Sequence, residues 1–125
     1  MSTQASLKKA HVSPRKAGIV AALVRGRTVA DALVILEHTP RRSAKLVKKA
    51  ILSARANAQH NHSYKPDSLV ISRINVTAGP RYRRYRPAAR GRARRYAIKT
   101  SQIKVVVDGE KRAVKKPALK EKKDE

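Results

Sequence analysis

Apolar residues in the first half of the chain recur at intervals of three and four, which is the spacing of one helix face. Ser13 and Pro14 suit an N-cap and a first helical position, and Gly26 suits a helix end, so the first helix is predicted between them. Its expected buried face is Ala17, Val20, Ala21 and Val24. Residues 4–12 carry no helix start signal, and they predict a short edge strand.

The same spacing predicts two further helices. One begins at Thr28, with Asp31 as a capping-box partner, and ends near His38 because a Thr-Pro pair follows. The other covers about residues 41–60, and the same Thr-Pro pair is expected to cap it. The expected buried faces are Val29, Ala32, Leu33 and Leu36 in the shorter helix, and Ala44, Val47, Ile51, Ala54 and Ala58 in the longer one. The small residues of the longer helix predict close packing against a neighbour.

After residue 68 the period of the pattern changes to two, as in a strand. One face is expected to carry Val70, Ser72, Ile74 and Val76, and the other Leu69, Ile71, Arg73, Asn75 and Thr77. A second strand pattern covers residues 96–107, with Ile103, Val105 and Val107 on one face. The two strands are expected to pair antiparallel, and the long segment between them is either disordered or a thin ribbon. Ribbon arms of about eight residues would reach roughly 25–30 Å.

These patterns predict an α+β domain, in which three helices pack on a small antiparallel sheet with a long protruding β-hairpin. The single domain is expected to cover residues 1–108, with the hairpin arm at about 74–105. Residues 109–125 have mixed charge and no apolar period, so a charged, disordered C-terminal tail is expected there. The longest apolar run, Ile19–Val24, has six residues, which is too short for a membrane span or a secretory signal.

Charge narrows the range of functions. The chain has 31 Lys and Arg residues against 8 Asp and Glu residues, a formal net charge of +23 on 125 residues. A compact protein with this charge repels itself and needs a partner of opposite charge, which is ordinarily nucleic acid. A membrane is the weaker alternative, since no segment opposes a large apolar face to a basic one. The absence of cysteine excludes disulfides and thiolate metal sites and suits the cytoplasm.

Residues 79–95 concentrate this charge, with eight arginines in seventeen residues and no acid. Arginine forms bidentate contacts with phosphate and stacks on bases. Tyr82, Tyr85 and Tyr96 are expected either to stack on bases or to pack on the ribbon itself. An extended basic arm suits folded RNA, and no helix-turn-helix for reading DNA is apparent.

The predicted RNA-binding residues are basic side chains of the helices and of the arm. The first group is Arg15, Lys16, Arg25, Arg27, Arg41, Arg42, Lys45, Lys48 and Lys49; the second is Arg81, Arg83, Arg84, Arg86, Arg90, Arg92, Arg94, Arg95 and Lys99. The lysines of the long helix have no acid four residues away to pair with, which favours contact with phosphate over simple solvation.

Catalytic residues, metal ligands and cofactors are not predicted. The acids Asp31, Glu37 and Asp67 lie scattered on helix ends and a loop, where capping or solvation explains them. His60 and His62 lie at a helix end without a third ligand nearby.

Several motifs occur in one order along the chain. They are Ser13-Pro14-Arg15-Lys16, Val24-Arg25-Gly26, Ala56-Asn57-Ala58-Gln59-His60-Asn61, Gly91-Arg92-Ala93 and Lys99-Thr100-Ser101-Gln102-Ile103. Together they resemble the universal L-twenty-two family of large-subunit ribosomal proteins, in its bacterial form, over about residues 8–108. The family usually has a basic residue where this chain has Ala88, and His, Asp or Asn where it has Gln102.

The resemblance implies a structural component of the cytoplasmic large ribosomal subunit, bound to large-subunit ribosomal RNA and to neighbouring ribosomal proteins. It also implies that the hairpin lines the polypeptide exit tunnel and meets the nascent polypeptide there. By position, the tunnel tip comprises Arg83, Arg84, Tyr85, Arg86, Pro87, Ala88, Ala89, Arg90, Gly91 and Arg92. The alternative from the residues alone is a free-standing basic RNA-binding or RNA-chaperone protein.

Overall fold

The computed structural model describes residues 2–113, and this part of the chain contains three helices and five strands. The helices are α1 (Pro14–Val24), α2 (Val29–His38) and α3 (Arg42–Asn61). The strands are β1 (Thr3–Ala10), β2 (Val70–Ala78), β3 (Tyr82–Pro87), β4 (Ala93–Ile98) and β5 (Ser101–Asp108). The predicted α+β class is confirmed.

Strands β1, β5 and β2 form an antiparallel domain sheet with β5 at its centre. The strand β1 lies at an edge, as predicted. Ile103, Val105 and Val107 of β5 are buried, which confirms the predicted alternation in this strand. The helices α1 and α3 cover the face of the sheet to which these side chains point, and α2 packs against both of these helices.

The core consists of small and branched aliphatic side chains. Every predicted core residue of α1 and α3 is buried, whereas Leu33 of α2 is only partly buried. Three alanines of α3, Ala50, Ala54 and Ala58, are at most 2% exposed. Because alanine has only a methyl group, α3 packs closely on β1 and β5.

The predicted alternation in β2 is wrong. Ile71 and Ile74 are both buried although they are three residues apart, because the register against β5 shifts between Ile71 and Arg73. The extra residue, Ser72, is exposed, and its Oγ donates to the carbonyl of Val106 at 3.2 Å. A bulge of this kind reverses the faces of the residues that follow it.

The two predicted uses of threonine at helix ends have different outcomes. At the start of α2, Thr28 Oγ1 accepts a hydrogen bond from the Asp31 N–H at 3.2 Å and donates to Asp31 Oδ2 at 2.7 Å. At the start of α3 the prediction is wrong, because Thr39 Oγ1 donates to the carbonyl of Ile35 at 2.7 Å and so satisfies the end of α2. The N-cap of α3 is Arg41, which makes no capping bond with its side chain.

The arginine-rich segment forms a ribbon and not a disordered loop. Strands β3 and β4 pair antiparallel from Tyr82 opposite Ile98 to Pro87 opposite Ala93, as a sheet separate from the domain sheet. We call residues 82–98 the arginine ribbon. Each arm has six residues. The paired arms therefore extend about 20 Å at about 3.3 Å per residue, less than the sequence predicted.

A short neck, which consists of residues 79–81 and 99–100, joins the arginine ribbon to the domain sheet. The Gly79 N–H donates to the carbonyl of Thr100 at 2.8 Å. The buried Thr100 Oγ1 donates in turn to the carbonyl of Pro80 at 2.6 Å. The predicted single strand 96–107 is therefore two strands, β4 and β5, separated by this neck.

The first residues of the expected tail contact the loop that precedes β2. The Lys65 N–H donates to the carbonyl of Glu110 at 2.9 Å, and the Arg112 N–H donates to the carbonyl of Ser63 at 2.8 Å. These contacts extend the folded part to Arg112, contrary to the expectation of a disordered tail from residue 109. The remainder of the expected tail, residues 114–125, lies outside the described residues.

The neck leaves no room for a side chain at Gly79. A Cβ atom there would lie 2.6 Å from Thr100 Oγ1 and 3.2 Å from the Thr100 carbonyl carbon. We expect Gly79→Ala to break the hydroxyl's bond to Pro80 and to lower the free energy of unfolding by about 1–3 kcal/mol, measured by urea titration. The control is Gly18→Ala, because nothing lies within 4 Å of a Cβ there. Equal stability of the two variants would contradict this account of the neck.

Candidate nucleic-acid interface

The arginine ribbon presents exposed guanidinium groups on both of its faces. Because side chains alternate along a strand, one face carries Arg83, Tyr85 and Arg95, and the other carries Arg84, Arg86, Arg94 and Tyr96. All of these side chains are exposed. Arg86 and Arg94 stand directly opposite each other, and like charges in this position destabilise a strand pair. The ribbon therefore gains stability from any anion that binds between them.

Two tyrosines pack against arginines of the opposite strand. Arg86 Cζ lies 4.7 Å from the centre of the Tyr96 ring, and Arg95 Cζ lies 5.9 Å from that of Tyr85. Packing on the ribbon, one of the two roles left open by the sequence, is thus present for Tyr85 and Tyr96, and stacking on bases stays a prediction. Such contacts contribute about 0.5–1 kcal/mol each at exposed sites. Tyr85 remains 61% exposed, so most of its ring stays accessible.

The tip is a tight turn with a defined shape. Arg90 and Gly91 both have positive φ angles, 58° and 69°. The Arg92 N–H donates to the carbonyl of Ala89 at 3.4 Å, and the Ala88 N–H donates to the carbonyl of Arg92 at 2.7 Å. Two left-handed residues in succession make a type I′ turn, whose twist matches that of a hairpin. Glycine accepts this geometry freely, while the left-handed arginine costs about 1–2 kcal/mol.

A basic groove lies on the domain between β1 and the first half of α3. It encloses about 330 Å³, and its polar lining consists of His11 and five cations, Lys8, Lys9, Arg42, Lys45 and Lys49. The register of β1 against β5 shifts between Leu7 and Ala10, and Lys9 has a φ of 54°, so both lysines are exposed in succession. Lys8, Lys9 and His11 are absent from the predicted set. Two adjacent lysines that break the alternation of β1 are the sequence signal for them.

A second depression, the junction pocket, lies where the groove meets the neck of the ribbon. It encloses about 520 Å³, and its polar lining is His11, Ser13, Lys16, Arg41, Arg42, Ser43 and Lys99. It shares His11 and Arg42 with the groove, and Lys99 connects it to the ribbon. We call the groove, the junction pocket and the arginine ribbon together the basic surface.

Three of the residues predicted in the helix group have side-chain partners within the described part of the protein. Arg25 Nη2 donates to the carbonyl of Ile74 at 3.2 Å, and Arg27 Nε donates to the carbonyl of Leu23 at 3.0 Å. Both lie beyond the C-terminal end of α1, while the junction pocket lies at its N-terminal end. Lys48 Nζ lies 3.2 Å from Glu37 Oε1 of α2. The inference that Lys48 has no acidic partner is therefore wrong, because the partner comes from another helix.

The chemistry of this surface is that of binding. Within residues 2–113, no group of three or more His, Asp or Glu side chains is placed to hold a metal ion. In the same part of the chain, no helix is long and apolar enough to cross a membrane. What the basic surface offers is a dense array of guanidinium and ammonium donors, which are the groups that bind phosphate.

A small α+β domain with a basic groove and a protruding arginine ribbon has the form of a ribonucleoprotein component. The family model for ribosomal protein L22p/L17e matches residues 5–108, and the chain belongs to this family. The predicted family resemblance is thereby confirmed. The family is structural and not catalytic.

The relatives are bacterial proteins of nearly the same length. The chain is 43% identical over 108 residues to large ribosomal subunit protein uL22 of Thermomicrobium roseum. The matched region covers 86% of this chain and 92% of that protein. It is 44% identical over 111 residues to the protein of the same name from Clostridioides difficile, and here the matched region covers 89% of this chain and 100% of that protein.

The ion pair between Glu37 and Lys48 gives a test of the α3 surface. We expect Glu37→Gln to release Lys48 for phosphate and to make the salt dependence of RNA affinity steeper by up to about 0.7–0.9 in log K against log salt. The free energy of unfolding should fall by less than about 1 kcal/mol, because the pair is exposed. Filter binding at several salt concentrations measures the first effect.

The matched control is Glu110→Gln, which removes the acid that pairs at 3.4 Å with Lys65, a residue of the loop after α3. An equal effect of the two substitutions would show that only net charge matters, and would remove Lys48 from the interface.

Proposed function

We propose that this chain binds large-subunit ribosomal RNA through its basic surface and places the tip of the arginine ribbon in the polypeptide exit tunnel. The observation that carries the proposal is the ribbon itself, a two-stranded arm that has seven arginines and no acid between residues 82 and 98. Membership of a ribosomal family supports the same partner. Neighbouring ribosomal proteins are its further contacts in the subunit, and the nascent polypeptide is the partner proposed for the tip.

The two parts of the basic surface have different roles. The groove and the junction pocket belong to a domain with its own core, so their charges are held in place before RNA binds. Each phosphate that they neutralise releases counterions, which supplies affinity with little dependence on base identity. The ribbon has no apolar core, and part of the energy of its contacts offsets the entropy lost on ordering it. We therefore assign anchoring to the domain and tunnel shape to the ribbon.

The two departures from the usual family pattern fit this division. Ala88 stands just before the type I′ turn, and it contributes its N–H to the carbonyl of Arg92. Any residue except proline allows that bond, so the turn keeps its shape without a basic residue. Gln102 lies opposite Thr77 in the pairing of β5 with β2, within the domain and away from the tip.

RNA affinity of the purified protein is expected to depend steeply on salt and weakly on sequence. Each neutralised phosphate contributes about −0.7 to −0.9 to the slope of log K against log salt. Titration of a large-subunit ribosomal RNA fragment at several salt concentrations measures this slope, with an RNA of the same length and shuffled sequence as the control. A flat salt dependence would overturn the electrostatic account of binding.

Shortening the ribbon is expected to leave assembly of the large subunit nearly normal. Replacing residues 84–96 with Asn-Gly keeps the pair of Arg83 and Ala97 and removes six arginines. Incorporation into sedimenting large subunits after a high-salt wash should stay close to that of the parent protein. Crosslinks from the tunnel to nascent chains and the binding of tunnel-directed small molecules should change.

The comparison variant carries Arg42→Gln, Lys45→Gln and Lys49→Gln in the groove, and it removes half as many charges. This variant is expected to weaken incorporation itself. If the shortened ribbon abolished incorporation and the groove variant did not, the assignment of roles would be reversed. A parent protein that left the subunits in the high-salt wash would favour the free-standing RNA-binding alternative.

A further inference from the structure

Two helices begin at the junction pocket. The α1 helix starts at Pro14 and α3 at Arg42, and side chains from both first turns line the pocket, among them Lys16 and Ser43. The first turn of a helix carries N–H groups without intrahelical partners and the positive end of the helix dipole. Neither helix has an acidic residue in its first turn or a capping side chain that accepts a hydrogen bond. Their N–H groups are therefore open to an anion.

The helix α2 shows that uncapped N–H groups are a feature of the helices that begin at the pocket. At the start of α2, the Thr28 hydroxyl accepts from the Asp31 N–H, and the Asp31 carboxylate lies in the first turn. The sequence thus provides a cap and a negative charge where α2 begins. It provides neither where α1 and α3 meet.

Ser43 points to a ligand independently of the helix ends. Its side chain lines the junction pocket, although the residue is only 4% exposed. Among the described residues its hydroxyl has no hydrogen-bond partner. Because it lines the pocket and has no partner in the described part of the protein, this hydroxyl is available to donate to an acceptor that enters there.

The charge around the pocket defines the acceptor. Lys16 comes from α1, Arg42 from α3 and Lys99 from the neck of the ribbon, so three separate elements bring cations to one depression. Within residues 2–113, no acidic side chain lines it. Backbone N–H groups, a hydroxyl and converging cations form the donor set that recognises a tetrahedral oxyanion.

We propose that the junction pocket is a dedicated site for one backbone phosphate of the bound RNA. The N–H groups of the first turns of α1 and α3 and the Ser43 hydroxyl donate to its oxygens, and Lys16, Arg42 and Lys99 neutralise its charge. This inference rests on the proposed RNA-binding function and adds a fixed position within it. Because Lys99 belongs to the neck, the same phosphate ties the base of the ribbon to the domain.

The decisive variant is Ser43→Asp. A carboxylate in the first turn of α3 takes the place of the phosphate, and it stabilises a helix N-terminus while it repels RNA. We expect the unfolding midpoint to stay level or rise, while affinity for a ribosomal RNA fragment falls at least tenfold more than in the control. The control is Ser53→Asp, which makes the same charge change at an exposed position of the same helix. Equal losses of affinity in the two variants would overturn the inference and leave the proposed function standing.

A second measurement does not depend on whether Ser43→Asp folds. Inorganic phosphate is titrated into the parent protein at constant ionic strength, and backbone amides are followed by NMR. Saturable shifts are expected first at residues 15, 16, 42 and 43, and they should weaken in Ser43→Ala. Shifts of equal size across the arginine ribbon, or no saturation, would overturn the site. Failure of the parent protein to bind any ribosomal RNA would overturn the proposed function together with the site.

Discussion

Repulsion between like charges constrains this molecule more than any other interaction. The formal charge of +23 is offset among the described residues by two ion pairs, Glu37 with Lys48 and Lys65 with Glu110. Both pairs are exposed, and such pairs contribute about 0–1 kcal/mol each. The fold therefore keeps cations apart on surfaces and leaves cohesion to an uncharged core. Phosphate removes the repulsion that the protein's own acids leave in place.

The core explains how a domain with so much charge still folds. It contains no Phe or Trp, and it relies on branched aliphatic side chains and on the alanines of α3 that let this helix approach β1 and β5. Close approach increases dispersion contacts even where side chains are small. The ribbon has no such core. Its hairpin depends on backbone pairing, a type I′ turn at Arg90 and Gly91, and two contacts between arginine and tyrosine.

Periodicity predicts the elements of this fold well, because each helix buries one continuous face. The limits of α1 and α2 and the inward face of β5 follow from sequence for that reason. The bulge at Ser72 does not, since its cause is the register against β5, a strand that is distant in the sequence. The pair of Glu37 and Lys48 and the junction pocket escape prediction for the same reason. Each joins elements whose approach is set by tertiary packing.

The ribbon's conformation and its charge act in opposite directions, and this opposition makes the stability of the hairpin sensitive to counter-charge. The turn and the two tyrosine contacts favour the hairpin, while the opposed Arg86 and Arg94 disfavour it. A phosphate between these arginines removes the unfavourable term and leaves the favourable ones unchanged. RNA therefore need not impose a shape on the arm, because the backbone already specifies one. It only has to supply the counter-charge that makes this shape the most stable one.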